Sequence, residues 1–145
     1  MKNSHINVIL YCRVSTDDQA LGFSLTNQEN TLKAYCQNNN YNIIEIYLED
    51  ESAKDFNRPE WIKLEKYVKA NKKQVDKVLF VKWDRFSRHA TLAHTKVDLF
   101  YLTYGVELNA CEQPLDLSIP ENLLMLSNYL AMSEIERRRI SLRTL

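Results

Sequence analysis

Short apolar runs alternate with helix-patterned segments along the chain, and this alternation limits the possible folds more than any other feature. Four runs rich in β-branched and aromatic residues have the length of buried strands, and they span residues 6–12, 41–48, 77–81 and 106–110. Between them, apolar side chains repeat at intervals of three and four residues, which predicts helices. We therefore predict an α/β fold with a mostly parallel central sheet of four to five strands, flanked by helices and followed by a long C-terminal helix.

Capping residues and helix breakers set the expected helix boundaries. Thr26 and Glu29 have the spacing of a capping box in a helix over residues 24–37. Pro59 suits the first turn of the next helix. Gly105 lies where a left-handed cap would end the helix before the fourth strand.

The composition is that of one soluble domain. The chain has 145 residues, 45% of them hydrophobic, which is enough for a core without disulfides or metals. The amino terminus has no signal-peptide or membrane-anchor pattern, so we expect a cytoplasmic protein. Cys12, Cys36 and Cys111 are interpreted as core residues, and no metal site is expected because the three histidines lack metal-ligand spacing. The 19 basic and 19 acidic residues cancel, so any contact with nucleic acid must be local.

The last helix carries a stretch with almost no polar side chains. Ser118 and Glu121 have capping-box spacing and predict that the helix begins near the former. Between residues 123 and 132, only a serine and an asparagine are polar. A helix that is apolar on all sides must be buried on more than one side, and the other helices already cover the sheet, so we predict a subunit interface. Its residues are Leu123, Met125, Leu126, Tyr129, Leu130 and Met132.

Three consecutive arginines, Arg137, Arg138 and Arg139, follow this apolar stretch. They cover much of the helix circumference with positive charge. One interpretation is a solvated helix end favoured by the helix dipole. The other is contact with a phosphate backbone, and the residues alone leave both open.

Arginines and a serine follow two of the predicted strands. Arg13 and Ser15 project to the same side at the end of the first strand, and Asp84, Arg85 and Arg88 follow the third. Strand ends border the usual ligand site of an open α/β sheet, and the last two arginines share a face if the chain is helical there. Guanidinium groups match phosphate oxygens, so a serine among them suits attack on a phosphodiester, with Asp84 orienting the arginines. The alternatives are a chance Arg-x-Ser triplet and a surface salt bridge of Asp84.

Taken in order, these motifs resemble the catalytic domain of the serine recombinases, the resolvase and invertase group. The resemblance rests on Tyr-x-Arg-Val-Ser-Thr at residues 11–16, Gln28, Asp50 and Arg58 in a long polar loop, Trp-Asp-Arg-Phe-Ser-Arg at residues 83–88, and Glu136-Arg137. It implies that Ser15 attacks a DNA phosphodiester and leaves a 5′-phosphoserine link and a free 3′-hydroxyl, with no metal or nucleotide cofactor. It also implies the remaining site residues: phosphate-binding Arg13, Arg85 and Arg88, the loop arginine Arg58, and the supporting Asp84 and Gln28.

The resemblance further implies an assembly and a domain plan. Family members cut double-stranded DNA in a tetramer built from homodimers, and the long last helix supplies much of the oligomerisation interface. Residues 1–118 would be the catalytic domain, and residues 119–145 would begin the long helix, with its three arginines near DNA. We expect the DNA-binding domain that normally follows to be absent from this chain. Two alternatives stay open: a catalytically inactive regulatory or DNA-associated dimerisation module of the same fold, and a small-molecule binder similar to flavodoxin or a response regulator.

Overall fold

A parallel sheet forms the centre of the computed structural model, which describes residues 5–15, 24–50 and 58–143. Within these ranges the sheet has four strands: β1 (Ile6–Val14), β2 (Tyr41–Asp50), β3 (Lys77–Phe80) and β4 (Glu107–Ala110). Their order is β2-β1-β3-β4, and each neighbouring pair is parallel. The predicted α/β fold with a parallel sheet and a long last helix is therefore confirmed.

Helices connect the strands and cover both faces of the sheet. In the described ranges these are α1 (Leu25–Asn38), α2 (Pro59–Ala70), the four-residue α3 (Trp83–Phe86), α4 (Ala90–Asp98) and α5 (Asn122–Arg143). The π-helical stretch Leu99–Tyr104 continues α4, and Gly105 ends it in the predicted left-handed conformation, with φ of 70°. None of these helices is long and apolar enough to span a membrane.

The first helix has a different cap from the predicted one. The Ser24 hydroxyl accepts a hydrogen bond from the backbone N–H of Asn27 at 3.0 Å, and Ser24 has the extended backbone of an N-cap residue. Thr26 and Glu29 lie inside α1, so the predicted capping box is wrong although the helix is confirmed. Glu29 forms an ion pair with Lys33 at 2.8 Å instead.

The two faces of the sheet bury different cores, and the alternation of side chains along β1 decides which residue enters which core. On one face, Ile9 and Tyr11 join a large cluster to which α2, α3 and the π-helical stretch contribute aromatic residues. On the other face, Leu10 and Cys12 pack against Cys36 and the rest of the buried side of α1. The two buried cysteines are core residues, as predicted.

Some of the predicted segments fall outside the described residues or belong to other elements. Thr16 and residues 51–57, which form most of the predicted long loop, lie outside the described ranges. Asp50 belongs to β2, and Arg58 is the N-cap residue of α2. The last helix begins at Asn122 rather than near residue 118, since the Ser118 hydroxyl donates to Asp116 Oδ1 at 2.6 Å and forms no capping box.

One side of α5 is packed into the core of its own chain. Leu126 and Leu130 are buried in the aromatic cluster, which corrects their assignment to a subunit interface: the domain itself encloses them. On other sides of the helix, Leu124 is 69% exposed and Met132 is 63% exposed. The interface assignment stays a prediction for Leu123, Met125, Tyr129 and Met132.

Candidate active site

The carboxyl ends of β1 and β3 bring predicted site residues to one edge of the sheet. Ser15 directly follows β1 and is half-buried. The short helix α3, with Asp84 and Arg85, begins just after β3. Because β1 and β3 are parallel neighbours, the two segments lie at the same edge, where ligands bind in open α/β sheets.

The fully buried side chain of Arg13 binds the backbone of α3. Its Nε donates to the carbonyl of Arg85 at 2.9 Å, and its Nη2 donates to the carbonyl of Asp84 at 2.7 Å. The Gln28 side chain in turn holds the backbone of Arg13, since it accepts from the N–H at 3.2 Å and donates to the carbonyl at 3.0 Å. Gln28 therefore fixes the end of β1, and Arg13 fixes α3 against it.

Arg58 also binds α3, from the N-cap position of α2. Its Nη2 donates to the carbonyl of Phe86 at 2.7 Å, and its guanidinium carbon lies 5.6 Å from the centre of the Tyr11 ring, a cation–π distance. Arg13 and Arg58 thus bind three successive carbonyls of α3. Carbonyls in the last turn of a helix have no intrahelical partner and carry partial negative charge, so guanidinium groups stabilise them. These contacts hold a helix too short to persist alone.

Glu49 is a buried carboxylate that the sequence analysis did not single out. Its Oε1 accepts from the Tyr11 hydroxyl at 3.1 Å and from the N–H of Trp61 at 3.0 Å, and its Oε2 accepts from the N–H of Glu60 at 3.2 Å. Glu49 therefore caps the first turn of α2, where the helix dipole favours negative charge, and fixes the element that carries Arg58. The available signal was a charged residue directly after an apolar run.

A bidentate ion pair between Asp84 and Arg85 lies at this edge. Arg85 Nε is 3.2 Å from Asp84 Oδ1, and Nη2 is 3.3 Å from Oδ2. Helix α5 reaches the same carboxylate, since the Ser133 hydroxyl donates to Asp84 Oδ2 at 2.7 Å and Arg137 Nη1 lies 3.9 Å from that oxygen. Burial by itself would raise the pKa of this carboxyl group. The charge and hydrogen bonds of Arg85, with contributions from Ser133 and Arg137, hold the pKa below its ordinary value.

A groove of about 1120 Å³ opens between α1, α3 and α5 at this edge. Its lining includes the predicted site residues Gln28, Asp84, Arg85, Arg88, Arg137 and Arg139. Five basic and three acidic side chains from the described part of the chain line it, so positive charge is in excess here although the whole chain is neutral. Such a groove favours an anionic ligand. Ser15 is not among the lining residues, nor are Arg13 and Arg58, whose guanidinium groups are buried against α3.

The prediction that Arg85 and Arg88 share a helical face is wrong. Helix α3 ends at Phe86, and Ser87 has an extended backbone. The Ser87 hydroxyl accepts from the N–H of His89 at 3.1 Å, and such a local side-chain bond competes with continuation of the helix. Both arginines nevertheless line the groove.

The three consecutive arginines of α5 have different surroundings. Arg137 lies near Asp84 and also pairs with Glu134 at 3.6 Å, and Arg139 lines the groove. Arg138 is 77% exposed at its side chain and pairs with Glu134 at 3.1 Å. Two of the three therefore face the groove, and the third faces solvent.

Histidine and acidic side chains form no metal-type cluster in the described ranges, where no group of three or more His, Cys, Asp and Glu residues could hold an ion. His94 instead contacts α5, with Nε2 at 2.8 Å from the Ser127 hydroxyl oxygen. This contact is a further polar connection between α5 and the rest of the domain.

Comparison with known proteins gives relatives that match this architecture. The family model described as the resolvase N-terminal domain matches residues 8–145. The chain is similar to the N-terminal catalytic domain of TP901-1 integrase, with a TM-score of 0.71 and 26% identity over 91% of this chain and 97% of that one. It is also similar to a resolvase family site-specific recombinase from Streptococcus pneumoniae, with a TM-score of 0.67 and 33% identity over 96% of this chain and 93% of that one.

A further relative comes from a bacteriophage. The uncharacterized immunity region protein 3 of Bacillus phage phi105 is 42% identical over 60 residues, which are 40% of this chain and 73% of that protein. Since the family model covers nearly the whole sequence and the solved recombinase domains share its fold, the chain belongs to the resolvase family of serine recombinases and corresponds to their N-terminal catalytic domain.

Proposed function

We propose that this chain catalyses site-specific DNA recombination and that Ser15 is its nucleophile. The observation that carries the proposal is the meeting of two strand ends: Ser15 follows β1, and Arg85 follows β3 beside a groove with excess positive charge. Membership of the resolvase family supports DNA as the substrate. A phosphodiester is an anion that arginine side chains bind through charge and paired hydrogen bonds.

The proposed cleavage step forms one bond and breaks one. Ser15 Oγ attacks the phosphorus, the bond from Oγ to phosphorus forms, and the bond from phosphorus to the 3′ oxygen breaks. The serine hydroxyl loses a proton, and the departing 3′ oxygen gains one, so no cofactor is consumed. The phosphoserine ester keeps the energy of the original bond. Attack by the 3′-hydroxyl of another DNA end then reverses the step and joins the exchanged strands.

We assign the phosphate to Arg85 and Arg88, because both line the groove. Their charges would stabilise the negative charge that develops on the phosphate oxygens in the transition state. In the described arrangement Arg13 and Arg58 act further from the phosphate, since they hold the carbonyls of α3 and thereby fix the helix that carries Arg85. Gln28 supports this arrangement through its bonds to Arg13, and Asp84 supports it through its ion pair with Arg85.

The proposal includes a second copy of the chain as a partner. Leu124 and Met132 expose large apolar side chains on α5, and contact with another copy would remove that surface from water. Two homodimers would form a tetramer on double-stranded DNA, where Arg137, Arg138 and Arg139 would contact phosphates. The expectation that the protein is cytoplasmic belongs to the same proposal, because its proposed substrate, DNA, is in the cytoplasm.

A covalent protein–DNA adduct is the test. The full-length gene product is incubated with sheared genomic DNA of the organism that encodes it, in buffer with EDTA, and is denatured in SDS before electrophoresis. We expect an adduct linked to 5′ DNA ends for the wild type and none for Ser15→Ala. Ser118→Ala is the matched control, because this hydroxyl binds Asp116 rather than a residue of the site, and it should give the wild-type amount.

Two outcomes would contradict the proposal. An adduct formed by Ser15→Ala in the wild-type amount would exclude Ser15 as the nucleophile. Failure of the wild type to form an adduct on DNA that contains its own genomic sites would favour the alternative, a catalytically inactive regulatory or dimerisation module of the same fold.

A further inference from the structure

A group of polar contacts joins α5 to α3, and Ser133 is its central residue. The Ser133 hydroxyl donates to Asp84 Oδ2 at 2.7 Å, the short distance typical of a hydroxyl bound to a carboxylate. Arg137 Nη1 donates to Ser133 Oγ at 3.4 Å. Because a hydroxyl group has one proton, the two bonds define its direction: it accepts from Arg137 and donates to Asp84.

The carboxylate that Ser133 binds is the one that holds Arg85. Asp84 Oδ1 accepts from Arg85 Nε at 3.2 Å. The other oxygen, Oδ2, is shared between Arg85 Nη2 at 3.3 Å and Ser133 at 2.7 Å. Rotation of the carboxylate away from the guanidinium group would therefore break the Ser133 bond as well. The serine thus restricts Asp84 to the orientation in which both oxygens pair with Arg85.

Ser133 lies beside a surface that a partner would cover. Leu126 and Leu130 anchor α5 in the core, whereas Met132, directly before Ser133, is 63% exposed. Successive residues of a helix lie about 100° apart around its axis, so the exposed Met132 and the hydrogen-bonded Ser133 belong to the same helical turn. A tilt of α5 that buries Met132 would therefore move the Ser133 hydroxyl relative to Asp84.

We infer that Ser133 is a positioning residue for strand cleavage: its hydroxyl holds Asp84 on the guanidinium group of Arg85 and makes the orientation of that arginine depend on the placement of α5. The link to cleavage rests on the proposed function. The contact between α3 and α5 does not depend on that function, so the contact and its effect on cleavage can be tested separately.

The electrostatics of Asp84 agree with this inference. The groups that face it are Arg85 on its own helix, Ser133 and Arg137 on α5, and Arg13 from β1, whose Nη2 binds the Asp84 carbonyl. Burial raises the pKa of Asp84, and the charge and hydrogen bonds of Arg85 are the largest opposing influence. The Ser133 hydrogen bond also lowers the pKa, so its loss has a measurable consequence.

Three variants separate the positioning role from general packing of α5. Ser133→Ala removes the hydroxyl, and Ser133→Thr keeps it at a position that lines the groove. Ser127→Ala is the matched control, because it removes another hydroxyl of α5, one that binds His94 at 2.8 Å instead of Asp84. General loosening of the helix would affect this control as well.

The first measurement needs no DNA. The carboxyl ¹³C signal of Asp84 is titrated by NMR in the full chain and in each variant. We expect the pKa of Asp84 to rise in Ser133→Ala and to keep its wild-type value in Ser133→Thr and Ser127→Ala. An unchanged pKa in Ser133→Ala, or an equal rise in Ser127→Ala, would overturn the inference.

The second measurement is the rate at which the phosphoserine adduct forms. Ser133→Ala should be roughly tenfold slower than the wild type, since a hydrogen bond to a charged group is lost, while Ser133→Thr should restore most of the rate. Ser127→Ala should react at the wild-type rate. A wild-type rate for Ser133→Ala would overturn the positioning role even if the pKa moves. If the wild type itself forms no adduct, the proposed function fails, and the titration alone decides whether Ser133 couples α5 to Arg85.

Discussion

Truncation of Leu126 to alanine should lower the free energy of unfolding by about 3 kcal/mol, and the same change at Leu124 by less than about 0.5 kcal/mol. Leu126 is 0% exposed and lies in the aromatic core, so its truncation loses buried surface and leaves a cavity. Leu124 is 69% exposed and has little buried surface to lose. Both changes place alanine in the same helix, so the contribution of helix propensity largely cancels between them.

Urea unfolding followed by circular dichroism measures both effects. The protein must be dilute enough to be monomeric, as checked by sedimentation, because self-association adds stability that depends on concentration. For a domain of this size, the loss at Leu126 corresponds to a fall in Tm of roughly 6–12 °C. Equal losses at the two positions would refute the reasoning, because they would mean that α5 does not pack through the side that contains Leu126.

The remaining predictions concern the exposed side of α5 and the charge of Asp84. Met125→Glu places a charge on an exposed apolar side chain, so the Kd of self-association, measured by sedimentation equilibrium, should rise at least about tenfold, and unchanged association would contradict the proposed interface. Asp84 has a lowered pKa in the folded protein, so it stabilises the fold above the ordinary carboxyl pKa and loses that contribution as the pH falls through the lowered value. The difference in unfolding free energy between the wild type and Asp84→Asn should therefore be constant near neutral pH and shrink below about pH 4, whereas a difference that grows in acid would contradict this assignment.

The central strands β1 and β3 could be predicted because burial on both faces leaves a continuous apolar run in the sequence. The edge strand β2 is mostly half-buried, and its β-branched and aromatic residues were the signal that predicted it. The ends of the strands were harder to predict, since β1 continues through Arg13 and β2 through Glu49. Both residues are buried with polar partners from other elements, and such long-range partners leave no periodic pattern. Capping residues were missed for a related reason: which of several nearby candidates acts depends on local bonds. In α1 the cap is Ser24 instead of Thr26, although the start of the helix was predicted, and before α5 Ser118 binds Asp116 and the helix starts later.

Part of the candidate site could also be predicted, because parallel strands that are neighbours end at the same edge and bring Ser15 and Arg85 there. The binding partners of Arg13 and Arg58 could not be predicted, since every residue has a carbonyl group and a sequence does not show which carbonyls a buried guanidinium group will reach. The contact of Ser133 with Asp84 was missed because it joins residues 49 positions apart. Its helix also lacked the polar and apolar faces that would have oriented it.

The supports of α3 differ in how they can respond to a partner. Arg13 and Arg58 hold its carbonyls, and Trp83 at its start binds Gln113 through its backbone N–H at 2.9 Å and its indole N–H at 3.1 Å. These contacts fix the backbone of the helix to the rest of the domain. Helix α5 is different, because it binds the Asp84 side chain on one side and exposes apolar residues on another. Among the contacts in the described residues, the proposed assembly would therefore act on Arg85 through the Asp84 carboxylate while the backbone of α3 stays in place.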